Sequence, residues 1–356
     1  MSISTGELQG YRPVNLDREY LAGKAFDHYR EKHKKLFLEL SAARKEQVLE
    51  DFRTHISYLQ EALATRSGAI FYDYTCWAKA LYYPLHLPGD YLTSGLSALD
   101  DILKEELPPD FREEADTFIR QSIAKAEQCP ALIPSYIGTE NPQAILARSY
   151  LEALLTPDRE GARKIINGAI ESGVPLSDIY LNILQPVLRE TGRLWQTGKV
   201  SVAKEHYVSA SVQLIVAKLH NRILSSGDRK RNGKTVVAAC VEKEYHEVGI
   251  QMVAAFFEMD GWDTYFIGAN TPAASLLEAV RDRSADVVAL SSTMASDLPL
   301  MHYIIRSLRA DPGTKKVKII VGGYPFTIAP DLWIQIGADG CARDAGEAVA
   351  VANRLT

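Results

Sequence analysis

The sequence is poor in cysteine: its four cysteines form no CxxC pair and lie far apart, at Cys76, Cys129, Cys240 and Cys341. This scatter argues against a structural zinc site and against a disulfide framework. Each cysteine is therefore predicted to be a small, buried, apolar side chain.

Long apolar runs and an excess of positive charge are missing as well. No run approaches the roughly 20 apolar residues that span a bilayer, and residues 1–18 lack the basic and apolar segments of a signal peptide. A formal net charge of −5 gives no electrostatic reason to expect binding to a phosphate backbone. We expect a cytoplasmic protein that has neither a membrane nor a nucleic acid as a partner.

The hydrophobic pattern that is present predicts a multidomain protein. Over residues 1–130, apolar residues recur at three- and four-residue spacing, which indicates an all-α domain. Residues 131–226 contain four helical patterns joined by short loops, which indicates an antiparallel four-helix bundle. Over residues 234–356, short β-branched runs alternate with helical patterns, which predicts a flavodoxin-like (Rossmann-like) α/β domain with five parallel strands.

Ligands of such sheets bind beyond the carboxyl ends of the strands. The residues at these predicted ends are His246 after the first strand, Ser291, Ser292 and Thr293 after the third, and Gly322 and Gly323 after the fourth. A lone histidine in a loop is more often structural than metal-bound, so His246 gains its weight from this combination.

The ends of these strands also carry a recognisable pattern. It consists of Glu244-x-His246-x-x-Gly249, Ser291-x-Thr293 and Gly322-Gly323. This pattern resembles the cobalamin-binding domain of methionine synthase, corrinoid methyltransferase proteins and cobalamin mutases, which have Asp-x-His-x-x-Gly, Ser-x-Leu and Gly-Gly. The resemblance implies that His246 replaces the cofactor's own benzimidazole as the lower cobalt ligand. It also implies that the detached nucleotide tail enters the sheet past the serines, Thr293 and the two glycines.

Two positions depart from the pattern of that family. Glu244 stands where the family has aspartate, and Thr293 stands where it has leucine. A carboxylate at position 244 can still hold the second ring nitrogen of His246, with a longer reach. Hydroxyl groups can hydrogen-bond the tail, and glycine lets a backbone approach it closely.

A second pattern lies in the predicted bundle. Trp195 is followed, after nine residues, by Glu205-His206. This spacing resembles the Trp-x9-Glu-His pattern of light-responsive cobalamin photoreceptors, which include carotenoid-gene repressors. The resemblance implies adenosylcobalamin as cofactor, with Trp195 packed on the adenosyl group and Glu205 and His206 as polar contacts nearby. Gln196 stands where some of these photoreceptors have a histidine that binds cobalt after illumination.

Residues 1–130 resemble, more weakly, the globin-like sensor domains of photocobilins, which bind a linear tetrapyrrole such as biliverdin. The resemblance rests on domain order, helix number and the aromatic density of residues 71–91, and it leaves biliverdin open as a second cofactor. The residues predicted to line a bilin pocket are Phe71, Tyr74, Cys76, Trp77, Tyr82 and His86. Haem ligation by His55 or His86 is an alternative, as are structural roles for both histidines and for Cys76.

Together these patterns predict a light sensor that is not an enzyme. Light would cleave the cobalt–carbon bond, move the bundle against the sheet, and change the assembly of a homo-oligomer whose downstream partner is unknown. Two alternatives stay open. One is a corrinoid carrier in methyl transfer, against which the bulky Trp195 counts, and the other is a haem-binding globin-coupled cobalamin sensor.

Overall fold

The computed structural model of the chain describes residues 10–85, 87–129, 133–225 and 230–356. These residues form two compact units. The N-terminal unit contains the described residues before position 130 together with Ile328–Gln335, and the C-terminal unit contains Ile133–Thr327 and Ile336–Thr356. Within the described ranges, no helix combines the length and the apolar character needed to cross a membrane.

The N-terminal unit is helical, as its hydrophobic period predicts. Side-chain caps start two of the helices, because Asp17 accepts the Tyr20 N–H and Ser41 accepts the Arg44 N–H. The helices of this unit before position 130 are α1 (Arg18–Lys32), α2 (Lys34–Glu39), α3 (Ala42–Thr65), α4 (Gly68–Tyr82), α5 (Tyr91–Glu106) and α6 (Pro109–Lys125), with 3-10 turns at Tyr83–Leu85 and Ala126–Gln128.

The core of the N-terminal unit holds titratable groups as well as apolar ones. The Nδ1 atom of His55 lies 2.6 Å from the Tyr74 hydroxyl, and both side chains are buried. The Tyr91 hydroxyl donates a hydrogen bond of 2.7 Å to the buried carboxylate of Asp51. Each buried polar group named here therefore has a partner, which is the condition for placing such groups in a core.

A disulfide joins Cys76 in α4 to Cys129, with Cα atoms 5.1 Å apart. The prediction that all four cysteines are unpaired was wrong for this pair. The two residues are 53 positions apart in sequence, and the packing of α4 against α6 and the following turn brings them together. No sequence spacing records that contact. Cys240 and Cys341 are free thiols.

The helix bundle lies in the C-terminal unit, and its third helix contains a π-helical stretch. The helices are α7 (Ala144–Leu155), α8 (Arg159–Glu171), α9 (Leu176–Asp178), which continues through the π-helical Ile179–Leu184 into α10 (Gln185–Gln196), and α11 (Val202–Ser225). Glu190 and Arg193 in α10 form an ion pair, and both side chains also bind the segment of residues 133–136. Glu190 accepts the Tyr136 N–H, and Arg193 donates to the Ile133 carbonyl. The helix Val248–Met259 of the sheet domain contributes Phe256 to the bundle's core.

The α/β domain contains one parallel sheet with strand order β2-β1-β3-β4-β5. Its elements are β1 (Thr235–Val241), α12 (Val248–Met259), β2 (Asp263–Thr271), α13 (Ala273–Asp282), β3 (Val287–Ser291), α14 (Leu298–Ala310), β4 (Lys318–Gly322), α15 (Tyr324–Ile328), α16 (Leu332–Gln335), β5 (Gly340–Ala342) and α17 (Ala345–Leu355). The predicted fold of helical N-terminal region, bundle and five-stranded parallel sheet is confirmed.

The strand register brings three loops to one edge of the sheet. Cys240 of β1 pairs with Ser291 of β3, and Ser291 pairs with Gly322 of β4. Because all strands are parallel, the loops that follow β1, β3 and β4 leave the sheet side by side. The strand order reverses at β1, so the loop after β1 lies at the switch point.

We predict that His55 makes the N-terminal unit sensitive to acid. Burial lowers the pKa of His55 from its ordinary value of 6.5 to about 3. Between these two values the unfolded chain binds one more proton than the folded chain. Stability that is present above pH 6.5 is therefore lost as the pH falls toward 3, by about 1.4 kcal/mol per pH unit.

The measurement is hydrogen exchange of the α3 amides as a function of pH, in the wild-type chain and in His55→Gln. Glutamine offers Tyr74 an acceptor but does not titrate, so the variant should show a shallower loss of protection between pH 6 and pH 4. Burial also raises the pKa of Asp51, with the opposite sign, but both proteins contain that carboxylate. Equal pH slopes in the two proteins would contradict the prediction.

Candidate functional site

The loop between β1 and α12 is fastened to the end of β2 by its backbone. The Lys243 N–H donates to the side-chain oxygen of Asn270 at 2.8 Å, and the Asn270 N–H donates to the Glu244 carbonyl at 2.8 Å. Lys243 and Asn270 both have positive φ angles, 69° and 49°. The conformation of the loop is therefore fixed by contacts that do not involve the side chains of Glu244 and His246.

Glu244 is the buried carboxylate of this loop, with its side chain 1% exposed. One oxygen accepts the His246 backbone N–H at 2.7 Å and lies 2.6 Å from His246 Nδ1. The other oxygen accepts the backbone N–H of Thr293, in the loop after β3. A single carboxylate thus connects the ends of two neighbouring strands.

These hydrogen bonds determine how Glu244 ionises. Burial alone would raise its pKa, but the bonds from the His246 ring, the His246 N–H and the Thr293 N–H outweigh burial and lower the pKa to about 2. The ionised carboxylate therefore stabilises the folded loop above pH 4.5, and this contribution is lost as the pH falls toward 2.

His246 presents the rest of its ring to solvent, with 69% of the side chain exposed. The hydrogen bond with Glu244 raises the pKa of His246, and the negative charges of Glu205 and Asp297 raise it further. Because Glu244 holds Nδ1, Nε2 is the ring nitrogen that remains for a metal ion. The predicted pair of Glu244 and His246 is thus brought together.

The bundle contributes to the surroundings of His246 through Glu205 in the first turn of α11. Glu205 accepts a hydrogen bond of 2.6 Å from Ser209, and its carboxylate lies 3.6 Å from the ring of His206, which is 74% exposed. Trp195 is half-buried at the end of α10, and the neighbouring Gln196 is buried. Of the three residues of the Trp-x9-Glu-His pattern, Glu205 is the one whose charge acts on His246.

The loops after β3 and β4 meet with very little space between them. Gly323 has φ +112°, and a Cβ there would lie 1.8 Å from the Ser292 carbonyl oxygen. A Cβ on Gly322 would lie 3.0 Å from the Ala342 carbonyl oxygen. The hydroxyl of the buried Ser292 donates within its own loop, to Met294 O and to Asp297, while Ser291 is half-buried at the end of β3.

By contrast, space is open at the start of α12. A Cβ built on Gly249 would meet no atom within 4 Å, and Gly249 is exposed. The predicted tail-binding residues therefore lie around one edge, with tight packing at Gly323 and an open surface at Gly249. At position 323 the positive φ angle and the nearby Ser292 carbonyl require glycine. At position 249 glycine leaves room for a ligand.

Two residues of this site were missed from the sequence. Asp297 approaches the cluster through Ser292, and Glu247 accepts hydrogen bonds from the Gln213 side chain at 2.6 Å and from the Ala269 N–H at 2.9 Å. Glu247 directly follows His246, and that adjacency was the only signal that could have identified it.

Of the residues predicted to line a bilin pocket, Phe71 and Tyr74 belong to the core of the N-terminal unit, and Cys76, Trp77 and Tyr82 are half-buried. Phe71 and Tyr74 are buried, and the Tyr74 ring lies 6.2 Å from that of Trp77. Tyr82 packs edge-on against Tyr91 at 5.3 Å. The sulfur of Cys76 is bonded to Cys129, so it is not free to attach a bilin covalently. His86 lies outside the described residues.

The donor set fits a metal that arrives inside a macrocycle. Over the part of the chain that the structure describes, no three or more His, Cys, Asp or Glu side chains converge in a way that could hold a bare ion. A corrin ring would bring its own nitrogen ligands for cobalt, so the protein would need to supply only one donor atom. An exposed imidazole with its other nitrogen held by a carboxylate meets that need.

Comparison with known proteins gives the same cofactor. A B12 binding domain matches residues 234–352, and a second B12 binding domain family matches residues 146–220. Dimethylamine corrinoid protein 3 of Methanosarcina acetivorans is 28% identical over 211 residues, which are 59% of this chain and 96% of that protein. Dimethylamine corrinoid protein 1 of Methanosarcina mazei is 26% identical over 211 residues, 59% of this chain and 95% of that protein.

Among solved structures, the monomethylamine corrinoid protein of Methanosarcina barkeri matches with a TM-score of 0.54 and 17% identity, covering 60% of this chain and all of that protein. This likeness shows the fold. Residues 1–130 lie outside both matched domain ranges, so their globin-like assignment stays a prediction. Two B12 binding domain families thus match the chain, at residues 146–220 and 234–352, and these matches indicate a cobalamin-type cofactor.

Proposed function

We propose that this protein carries a corrinoid cofactor for methyl transfer between partner enzymes, with His246 as the lower axial ligand of cobalt. The observation that carries the proposal is the Glu244–His246 pair at the sheet edge, where the exposed ring is held at Nδ1. The similarity to dimethylamine corrinoid proteins supports methyl transfer as the role of that site. In this role the protein presents a cofactor and is not itself the methyltransferase.

Bound cobalamin would supply a cobalt centre that accepts a methyl group and passes it on. His246 would hold that centre through Nε2. Glu244 keeps a proton on Nδ1 and, through its negative charge, makes Nε2 a better electron donor. The Thr293 N–H fixes the second oxygen of Glu244, so the carboxylate cannot turn away from the ring.

The nucleotide tail of the cofactor would enter beside the open surface at Gly249. The tight approach of Gly323 to Ser292 sets one boundary of that entrance. Thr293 and Ser291, both half-buried, supply hydroxyl groups beside it. Trp195 at the end of α10 and Glu205 and His206 in α11 would contribute contacts to the cofactor from the bundle.

The first prediction from this proposal concerns the protein without cofactor. Glu244→Gln should lower the pKa of His246 toward its ordinary value of 6.5, because the hydrogen bond and the charge that raise it are both weakened. The measurement is an NMR titration of the imidazole signals. The signal of His246 is identified by its loss in His246→Ala. Glu278→Gln, an exposed carboxylate on α13, is the control. An unchanged pKa in Glu244→Gln would refute the coupling.

The second prediction tests the carrier role. The wild-type protein is loaded with cobalamin, reduced, and treated with methyl iodide. Its bound cobalamin should become methylated and should show the absorption spectrum of a histidine-ligated form. His246→Ala should give the histidine-free spectrum, because no imidazole remains at that position. Free cobalamin under the same conditions is the control for the chemistry. A wild-type holoprotein that stays unmethylated while free cobalamin reacts would contradict a carrier role.

A light sensor that binds adenosylcobalamin is the second candidate function. One observation favours it: Glu205, which lies at the spacing from Trp195 that is found in cobalamin photoreceptors, acts electrostatically on His246. Bound adenosylcobalamin would supply a cobalt–carbon bond that light breaks. The chain's part would be to let the bundle shift once the adenosyl group no longer supports Trp195, with an altered homo-oligomer as the result. Biliverdin as a second chromophore of residues 1–130 belongs to this proposal.

The third prediction separates the two candidates. If the protein is a sensor, green illumination of the adenosylcobalamin-loaded chain should change both its spectrum and its size on a gel-filtration column. Trp195→Ala should remove the change in size while leaving the change in spectrum, because photolysis belongs to the cofactor. A change in spectrum with no change in size in the wild type would rule out the sensor and leave the carrier.

A further inference from the structure

Glu247 connects the helix bundle to the loop of His246. One carboxylate oxygen accepts a hydrogen bond of 2.6 Å from the Gln213 side chain in α11, and the other accepts the Ala269 N–H of β2 at 2.9 Å. Glu247 is also the residue that precedes α12. A single side chain thus joins the bundle, the end of β2 and the start of α12.

The end of β2 is shaped to receive this carboxylate. Gly268 has φ +101°, and a Cβ at that position would lie 2.9 Å from the nearer Glu247 oxygen. Any larger residue would push against the carboxylate and would also strain the backbone. The absence of a side chain at position 268 is therefore a second, independent sign that Glu247 belongs in this place.

The face of α11 that meets the loop carries polar residues at regular spacing. Glu205, Ser209 and Gln213 follow one another at four-residue intervals, so they lie on one side of the helix. Ser209 donates to Glu205, and Gln213 donates to Glu247. This row of three residues, which includes the Glu205 charge that raises the pKa of His246, is thus connected to the loop through Gln213.

We infer that Glu247 is a positioning residue that holds the bundle in one arrangement over His246. The bond from Gln213 to Glu247 (the Gln213–Glu247 bridge) couples movement of α11 to the backbone of the loop, since Glu247 and His246 share a peptide bond. Opening the bundle toward a partner would have to break this bridge, and the loop of His246 would then lose one of its supports. The effect on cobalt ligation rests on the proposed function, but the bridge itself does not.

A charge swap tests the bridge in the protein without cofactor. Gln213→Glu places two carboxylates together, and we expect hydrogen exchange of peptides 202–213 and 243–250 to accelerate about tenfold, which corresponds to about 1.4 kcal/mol. Adding Glu247→Gln restores one carboxylate and one amide, and should return both peptides to the wild-type rate. Glu278→Gln serves as the control and should have no effect.

Three outcomes overturn the inference: no acceleration in Gln213→Glu, acceleration confined to one of the two peptides, or no recovery in the double variant. Gln213→Ala, which introduces no repulsion, should accelerate both peptides less than Gln213→Glu does. A second measurement uses the cobalamin absorption spectrum, where Gln213→Glu should raise the histidine-free fraction and the swap should restore the bound form. If the wild type never shows a histidine-ligated spectrum, the proposed function fails while the exchange data still decide on the bridge.

Discussion

The site depends on one buried charge, the carboxylate of Glu244. A carboxylate that is removed from water costs several kcal/mol unless hydrogen bonds replace the lost hydration. Glu244 obtains them from the ring and backbone of His246 and from the backbone of Thr293. Because those donors belong to the loops after β1 and β3, the charge stays satisfied only while both loops keep their places. The orientation of the imidazole follows from that requirement.

The sheet makes this arrangement available. The strand order places β1 next to β3, and the register aligns Cys240 with Ser291, so the two loops begin at the same level. Gly323 follows β4, the neighbour of β3. Because it has no side chain, its backbone can lie close to Ser292 in the loop after β3. A one-residue shift between β1 and β3 would carry the Thr293 N–H away from Glu244. The regular pairing of buried, β-branched strands therefore sets the geometry of the polar site.

Local patterns allowed the sheet and the loop to be predicted. The run from Thr235 to Val241 is one of the short β-branched strands that the pattern predicts, and the carboxylate and imidazole of the motif around His246 lie together as predicted. The contacts that depend on packing between distant segments could not be predicted in this way. Cys76 and Cys129 carry no spacing signal, and the bond from Gln213 to Glu247 joins residues 34 positions apart whose types are common on helix surfaces. The π-helical stretch at Ile179–Leu184 has the same apolar period as an ordinary helix.

In the sequence, His246 is flanked by Glu244 and Glu247. The surroundings of these two carboxylates differ, and so do their roles. Glu244 is buried, and its bonds fix the ring itself and the loop after β3. Glu247 is only partly buried, and its bonds reach β2 and the bundle. The first cannot be disturbed without leaving a buried charge unpaired, whereas the second can exchange Gln213 for water at modest cost. In the proposed carrier, the loop would therefore keep the orientation of His246 while its connection to the bundle opens and closes.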